Sequence, residues 1–177
     1  MNPADSSVLY ATTYATATAK SGILKSVDAG NTWKNDASSS RVFSRLWVDL
    51  TASLVRDPAN STTLYAGSSA GVFKSLDLGK TWMVVSAAFP TAGRRRVLFD
   101  PFSPNVVYAE AELKGLFKST DTGRSWKPIN SGLPDISVRG LAIDPTDSQI
   151  LYVGTFKRGV FKSTNGGESW QPTGTKE

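Results

Sequence analysis

An eight-residue pattern, Ser-x-Asp-x-Gly-x-Thr/Ser-Trp, occurs four times in this 177-residue chain. The copies begin at Ser26, Ser75, Ser119 and Ser163 and end at Trp33, Trp82, Trp126 and Trp170. Their acidic positions are Asp28, Asp77 and Asp121, with Asn165 in the fourth copy. The tryptophans are 49, 44 and 44 residues apart. Two landmarks precede each copy in the same order. Asn2-Pro3, Asp57-Pro58, Asp100-Pro101 and Asp144-Pro145 come first, followed by Leu9-Tyr10, Leu64-Tyr65, Val107-Tyr108 and Leu151-Tyr152. A short apolar run ending in lysine, such as Val72-Phe73-Lys74, then leads into the motif. Self-similarity at a fixed period identifies an array of one small unit, each copy needing its neighbours to bury an apolar face.

The unit reads as four short strands. Strand A precedes the Asp-Pro, at Ser53–Arg56, Val97–Phe99 and Gly140–Ile143. Proline ends it because it has no N–H for a ladder. Strand B carries the Leu-Tyr pair, strand C the Phe-Lys-Ser, and strand D starts at the tryptophan. Short strands with turn signals at roughly 8–12-residue spacing predict an all-β chain. Four strands in about 44 residues is the period of a propeller blade. The repeated motif is expected to be the C–D turn. Its carboxylate can accept hydrogen bonds from backbone N–H groups and nearby hydroxyls. Its glycine can take a positive φ, and its tryptophan covers the hairpin. Asn165 keeps the acceptor without the charge. Asp28, Asp77, Asp121, Asn165 and the four motif tryptophans are therefore assigned structural roles.

These residues resemble the Asp-box, or BNR, repeat of sialidases, xyloglucanases, sortilin-type receptors and photosystem II assembly factors. The resemblance covers nearly the whole chain. It implies a β-propeller of four-stranded antiparallel blades, with the motif turns away from the active face. It does not choose a function, since the family spans hydrolases and binding proteins. On this reading residues 1–177 form one propeller domain with repeats at about 1–40, 41–90, 91–134 and 135–177. The first repeat lacks its innermost strand, because the chain starts where strand A should already have ended. Three arrangements follow: part of a larger propeller, two chains head-to-tail in an eight-blade ring, or four blades closing alone with a slack seam at the first; the expected ring is one of the first two, partial or closed by assembly.

Composition excludes several classes. The chain has 40% hydrophobic residues and a net charge of +5, which argues against a disordered tail. It has no cysteine and no histidine. That removes disulfides, Cys/His zinc sites and any histidine-based triad. Phosphate-loop and dinucleotide fingerprints are absent. No metal, cofactor or catalytic residue is assigned. No apolar run is long enough to suggest a membrane span. A charge of +5 does not by itself imply nucleic-acid binding. Met1 to Ala15 has neither the basic nor the apolar region of a secretory signal. A signal already removed would place the chain outside the cell or in the periplasm; otherwise it is cytoplasmic.

The charges are unevenly distributed. In a propeller the D–A and B–C loops share one face. The segments expected there (strand D included) hold twelve Lys/Arg against five Asp/Glu, leaving the remainder of the chain net negative. The sharpest feature is Arg94-Arg95-Arg96, just before strand A of the third repeat. Alignment on Asp-Pro places Arg95 level with Arg139. Guanidinium forks suit carboxylate, phosphate or sulfate. Lys157 and Arg158 lie in the B–C loop of the fourth repeat. Two further candidates sit in insertions relative to the repeat, which tend to map to binding loops. Tyr14 lies in the long B–C connection of the first repeat and Trp47 in the long linker to the second. Either could stack on a sugar or peptide; alternatively, Trp47 packs within an extra strand, Val42–Leu50. The candidate ligand-binding set is Arg94, Arg95, Arg96, Arg139, Lys157, Arg158, Tyr14 and Trp47.

These residues favour a binding scaffold that recognises a protein segment or an anionic glycan on its basic loop face. The alternative is a fragment or subunit of an Asp-box glycoside hydrolase, xyloglucanase-like or sialidase-like. A xyloglucanase needs two carboxylates opposed across a cleft. Asp49 with Glu110 or Glu112 is the only pair expected on the loop face, and the spacing of Arg95, Arg139, Tyr14, Glu110 and Glu112 does not make a sialidase site.

Overall fold

The computed structural model describes residues 7–13, 22–35, 53–68, 71–85, 95–111 and 113–174. Among them are fifteen strands and no helix. The strands form four antiparallel meanders in chain order. The first blade contains β1 (Leu9–Thr13), β2 (Gly22–Ser26) and β3 (Lys34–Asn35). The second contains β4 (Ser53–Arg56), β5 (Leu64–Ser68), β6 (Gly71–Ser75) and β7 (Met83–Val84). The third contains β8 (Arg95–Phe99), β9 (Val107–Ala111), β10 (Gly115–Ser119) and β11 (Lys127–Pro128). The fourth contains β12 (Val138–Ile143), β13 (Leu151–Thr155), β14 (Val160–Ser163) and β15 (Gln171–Pro172). Successive blades contact one another, and among the described residues no strand pairing joins the first sheet to the last. Among the described residues the architecture is an open arc of a β-propeller, with three strands in its first blade.

The four motif turns are near copies. In the third, the Ser119 hydroxyl donates to Asp121 Oδ1 (2.8 Å) and accepts from the Gly123 N–H (2.8 Å). Asp121 then accepts from the Ser125 N–H (2.8 Å) and hydroxyl (2.6 Å). Asn165 reproduces the pattern: its Oδ1 accepts from the Ser169 N–H, and its Nδ2 donates to the Ser169 hydroxyl. Two consecutive residues in each turn are left-handed, where the sequence suggested only the glycine. Ala29, Leu78, Thr122 and Gly166 have φ of 56°, 58°, 57° and 64°, followed by Gly30, Gly79, Gly123 and Gly167. The side-chain clamp holds a conformation that costs a non-glycine residue roughly 1 kcal/mol or more. Each turn is also tied to the A–B turn of its own blade, as when the Thr122 N–H donates to the Asn105 carbonyl (3.0 Å). The A–B and C–D turns thus share one end of the blade.

The core lies between blades rather than within them. Tyr10 and Ile23 of the first blade meet Leu54, Ala66, Phe73 and Trp82 of the second. Tyr65 and Val72 of the second meet Val97, Val107, Ala109 and Trp126 of the third. Tyr108, Leu116 and Ile129 of the third meet Leu141, Leu151, Phe161 and Trp170 of the fourth. Internal strands are therefore covered on both faces: every residue of β5 and β9 is buried, while β1 is only half-buried. Trp126 and Trp170 lie over the glycine of their own turn and also work across blades. The Trp170 indole N–H donates to the Ile129 carbonyl of the preceding blade (2.7 Å). Strand D begins one residue after the tryptophan in every blade, leaving the indole free to reach backwards.

Three outcomes are expected. Leu116→Ala, at a fully buried position in the seam between blades three and four, should cost about 2–5 kcal/mol in urea denaturation. Val27→Ala, at a residue 61% exposed, should stay within about 0.5 kcal/mol. The motif hydrogen bonds lower the pKa values of Asp28 and Asp121 to about 2, and that of Asp77 in the same direction. A carboxyl with a depressed folded-state pKa stabilises above its unfolded value and loses that contribution as pH falls through the folded value. Thermal stability should therefore decline from about pH 4 towards pH 2. A triple Asp28→Asn, Asp77→Asn, Asp121→Asn variant should show a shallower decline in a pH series of melting curves.

Candidate functional site

The loop end of the seam between blades three and four forms a cleft of about 450 Å³. Its lining includes Leu113, Asp135, Arg139, Phe156, Lys157 and Arg158, together with Pro134 and Ser137. Each wall has a local cause. Leu113 sits in the short β9–β10 turn with φ of 59° and is 64% exposed. Asn130 braces that turn, its Oδ1 accepting from the Leu116 N–H (2.8 Å). A Cβ at Gly115 would collide with the Asn130 amide, so only glycine allows this brace. On the opposite wall, Asp135 Oδ1 accepts from the Ser137 N–H (2.8 Å), and the Ser137 carbonyl accepts from the Phe156 N–H (2.8 Å). The Thr155 hydroxyl accepts from the Arg158 N–H (3.0 Å), and Gly159 closes the β13–β14 loop at φ 77°. This fixes the backbone of Phe156-Lys157-Arg158 at the rim.

Arg139 enters through an irregularity in β12. Val138 pairs with Thr155 and Gly140 with Gly154, so the register shifts across Arg139. Such a bulge re-aims a side chain. The Arg139 guanidinium lies over the Phe156 ring, 4.6 Å from its centroid. That contact holds the fork in place and is worth about 0.5–1 kcal/mol at an exposed site. Phe156 remains 58% exposed. The rim thus combines three cations with two uncovered apolar side chains.

The cleft brings together Arg139, Lys157 and Arg158 of the candidate residues. Of the other candidates that are described, Arg95 and Arg96 are not in its lining. Arg94, Tyr14 and Trp47 lie outside the described residues, as do Asp49, Glu112 and the segment Val42–Leu50. Arg95 opens β8 opposite Ala111, and Arg96 follows it opposite Glu110. The arginine run therefore enters strand A rather than stopping before it.

Glu110 also departs from expectation. It belongs to β9 rather than to the loop, and only 6% of its surface is exposed. Burial raises the pKa of its carboxyl, partly opposed by the Arg96 guanidinium and the Leu141 N–H. Its Oε1 has no hydrogen-bond partner among the described residues. The sequence carried a clue. Glu110 stands two residues after Tyr108, on the face turned towards the next blade, where the second and fourth repeats have Gly67 and Gly154. The Leu141 N–H that it meets lies just beyond the bulge at Arg139.

Scans of protein-family models and of curated proteins return no match. Solved structures do match. An ancestral GH74 enzyme aligns over 100% of this chain and 24% of its own, at 20% identity and a TM-score of 0.75. The GH74 xyloglucanase from Xanthomonas campestris aligns over 97% of this chain and 37% of its own, at 21% identity and a TM-score of 0.56. YCF48 bound to D1 peptide aligns over 85% of this chain and 47% of its own, at 15% identity and a TM-score of 0.52. The chain spans less than half the length of each. These likenesses show the β-propeller fold. Among the described residues no helix is long and apolar enough to cross a membrane.

The raised pKa of Glu110 has a definite sign. A carboxyl harder to ionise when folded penalises the folded state as pH rises above its unfolded value, and costs nothing below it. Glu110→Gln should therefore increase the denaturation midpoint at pH 7, and the gain should vanish below about pH 4.5 (the ordinary glutamate value).

Proposed function

We propose that the chain is an Asp-box propeller module, one unit of four repeats over residues 1–177, that binds an acidic protein segment in the cleft between blades three and four. The convergence of Arg139, Lys157 and Arg158 around exposed Phe156 and Leu113 carries this reading. The arginine forks suit carboxylates bidentately, and the lysine adds a point charge. Leu113 and Phe156 offer apolar contact to the side chains between those carboxylates. An anionic glycan would satisfy the cations but leave Leu113 uncovered. A peptide complex of a structural neighbour, YCF48 bound to D1 peptide, favours the same choice.

The second reading, a piece of a glycoside hydrolase, draws on the GH74 neighbours. It requires an opposed pair of carboxyl groups about 5–10 Å apart. Among the described residues the cleft offers Asp135, whose carboxylate holds the Ser137 N–H. Glu110 is buried in the seam. Arg139, Lys157 and Arg158 make the described lining an anion-binding rim rather than an acid–base pair.

Titration with a synthetic peptide of alternating glutamate and leucine, beside a sulfated oligosaccharide and a xyloglucan oligosaccharide, separates the readings. The peptide should bind, more weakly as salt rises. The Arg139→Ala, Lys157→Ala, Arg158→Ala variant should lose at least about tenfold in affinity, or about 1.4 kcal/mol. Binding of the sulfated sugar without the peptide would overturn the protein-segment reading. Cleavage of the xyloglucan oligosaccharide would establish the hydrolase.

A further inference from the structure

Each junction between blades repeats a hydrogen bond running forwards. The hydroxyls of Tyr10, Tyr65 and Tyr108 donate to the carbonyls of Leu78, Thr122 and Gly166 at 3.5, 2.6 and 3.3 Å. Every acceptor is the first left-handed residue of the next blade's motif turn. The strand-C lysine reinforces the last two: Lys74 donates to the Thr122 carbonyl and Lys118 to the Gly166 carbonyl. A second bond runs backwards. The indole N–H groups of Trp126 and Trp170 donate to the Val85 and Ile129 carbonyls, each three residues past the previous tryptophan.

The fourth blade presents the forward half of such a junction with no partner in it among the described residues. Tyr152 occupies the repeat position, and Lys162 lies 5.5 Å above its ring, as Lys118 does over Tyr108. Its hydroxyl reaches no acceptor among the described residues. Val160, which corresponds to the fully buried Val72 and Leu116, is 41% exposed. Thr173 stands where Val85 and Ile129 offer their carbonyls. The first blade presents the converse half. Ala29 has φ of 56°, and no tyrosine donates to its carbonyl among the described residues. Trp33 is 40% exposed, against 3% for Trp170. Its indole donates to the Gly30 carbonyl of its own turn (3.0 Å). Trp126 makes that same local bond, to Gly123, while also bonding the blade behind.

We infer that the fourth-blade edge receives the first-blade edge of a second copy of this chain, head to tail. Tyr152 and Lys162 donate to the carbonyl of Ala29 of the partner subunit, and the partner's Trp33 packs on Val160 and donates to the Thr173 carbonyl. The occupant must bring a left-handed carbonyl and an indole at motif spacing, and this chain's own first blade carries both, Ala29 and Trp33, with no bond from either to another blade among the described residues. A head-to-tail contact closes into a ring when the rotation per copy allows. Two copies bring eight blades, the upper end of the usual ring size.

Light scattering on the 177-residue chain, wild type and with Tyr152→Arg or Trp33→Arg, tests this. Wild type should have twice the 19.0 kDa chain mass, and each variant the mass of one chain. Mixing the two variants should restore a pair, because the unaltered fourth-blade edge of one meets the unaltered first-blade edge of the other. If Tyr152→Arg loses its β-sheet circular dichroism, Val160→Glu replaces it as the fourth-blade block. A wild type of single-chain mass at all concentrations, variants that stay paired, or folded variants that fail to pair on mixing would each overturn the inference. Acidic-peptide binding is read separately, so a monomer that still binds peptide leaves the cleft assignment standing.

Discussion

The structure depends on a turn that holds two consecutive residues left-handed. That geometry is unfavourable for Ala29, Leu78 and Thr122 in isolation. The serine hydroxyl and the Asp or Asn side chain bind the backbone N–H groups of the turn and so stabilise it. The turn in its clamped form pushes one carbonyl outward towards the neighbouring blade, where the tyrosine of strand B meets it. Local chain conformation, the hydrogen bond between blades and the apolar seam behind it are thus one device. Without the outward carbonyl the tyrosine hydroxyl would be buried without an acceptor, a cost of about 1–3 kcal/mol.

Strand positions were legible because the repeat supplies four readings of each element. The landmarks at Leu-Tyr, Phe-Lys-Ser and Asp-Pro mark β-strands and their ends by turn chemistry that acts within a few residues. What one repeat could not reveal was the direction in which side chains look. Trp126 and Trp170 serve the blade behind them, a relation that spans 41 residues of sequence. The same limit applied to Glu110. Counted as a loop residue, it belongs to a strand covered on both faces, so its place is decided by the blade in front rather than by its neighbours in the chain.

The candidate cleft was partly legible for a similar reason. Arg139, Lys157 and Arg158 are near in sequence to the turns that carry them, and the loop assignment placed them together. Leu113 and Phe156 were not singled out, because an apolar residue in a short loop has no sequence mark that separates a buried anchor from an exposed rim. The bulge in β12 was also invisible in the sequence, and without it Arg139 would follow the regular alternation of the strand.

Glu110 carries a consequence for how such an array can evolve. Repeat proteins commonly grow by copying a unit, and copies are tolerated when every unit presents the same surfaces. The third unit no longer does. Its buried carboxylate fits a successor whose first strand is kinked beside Leu141, while the straight first strands β4 and β8 offer no such kink. The order of the third and fourth units is thereby locked, and a duplication or shuffling event that separated them would strand an acid group inside an otherwise apolar joint.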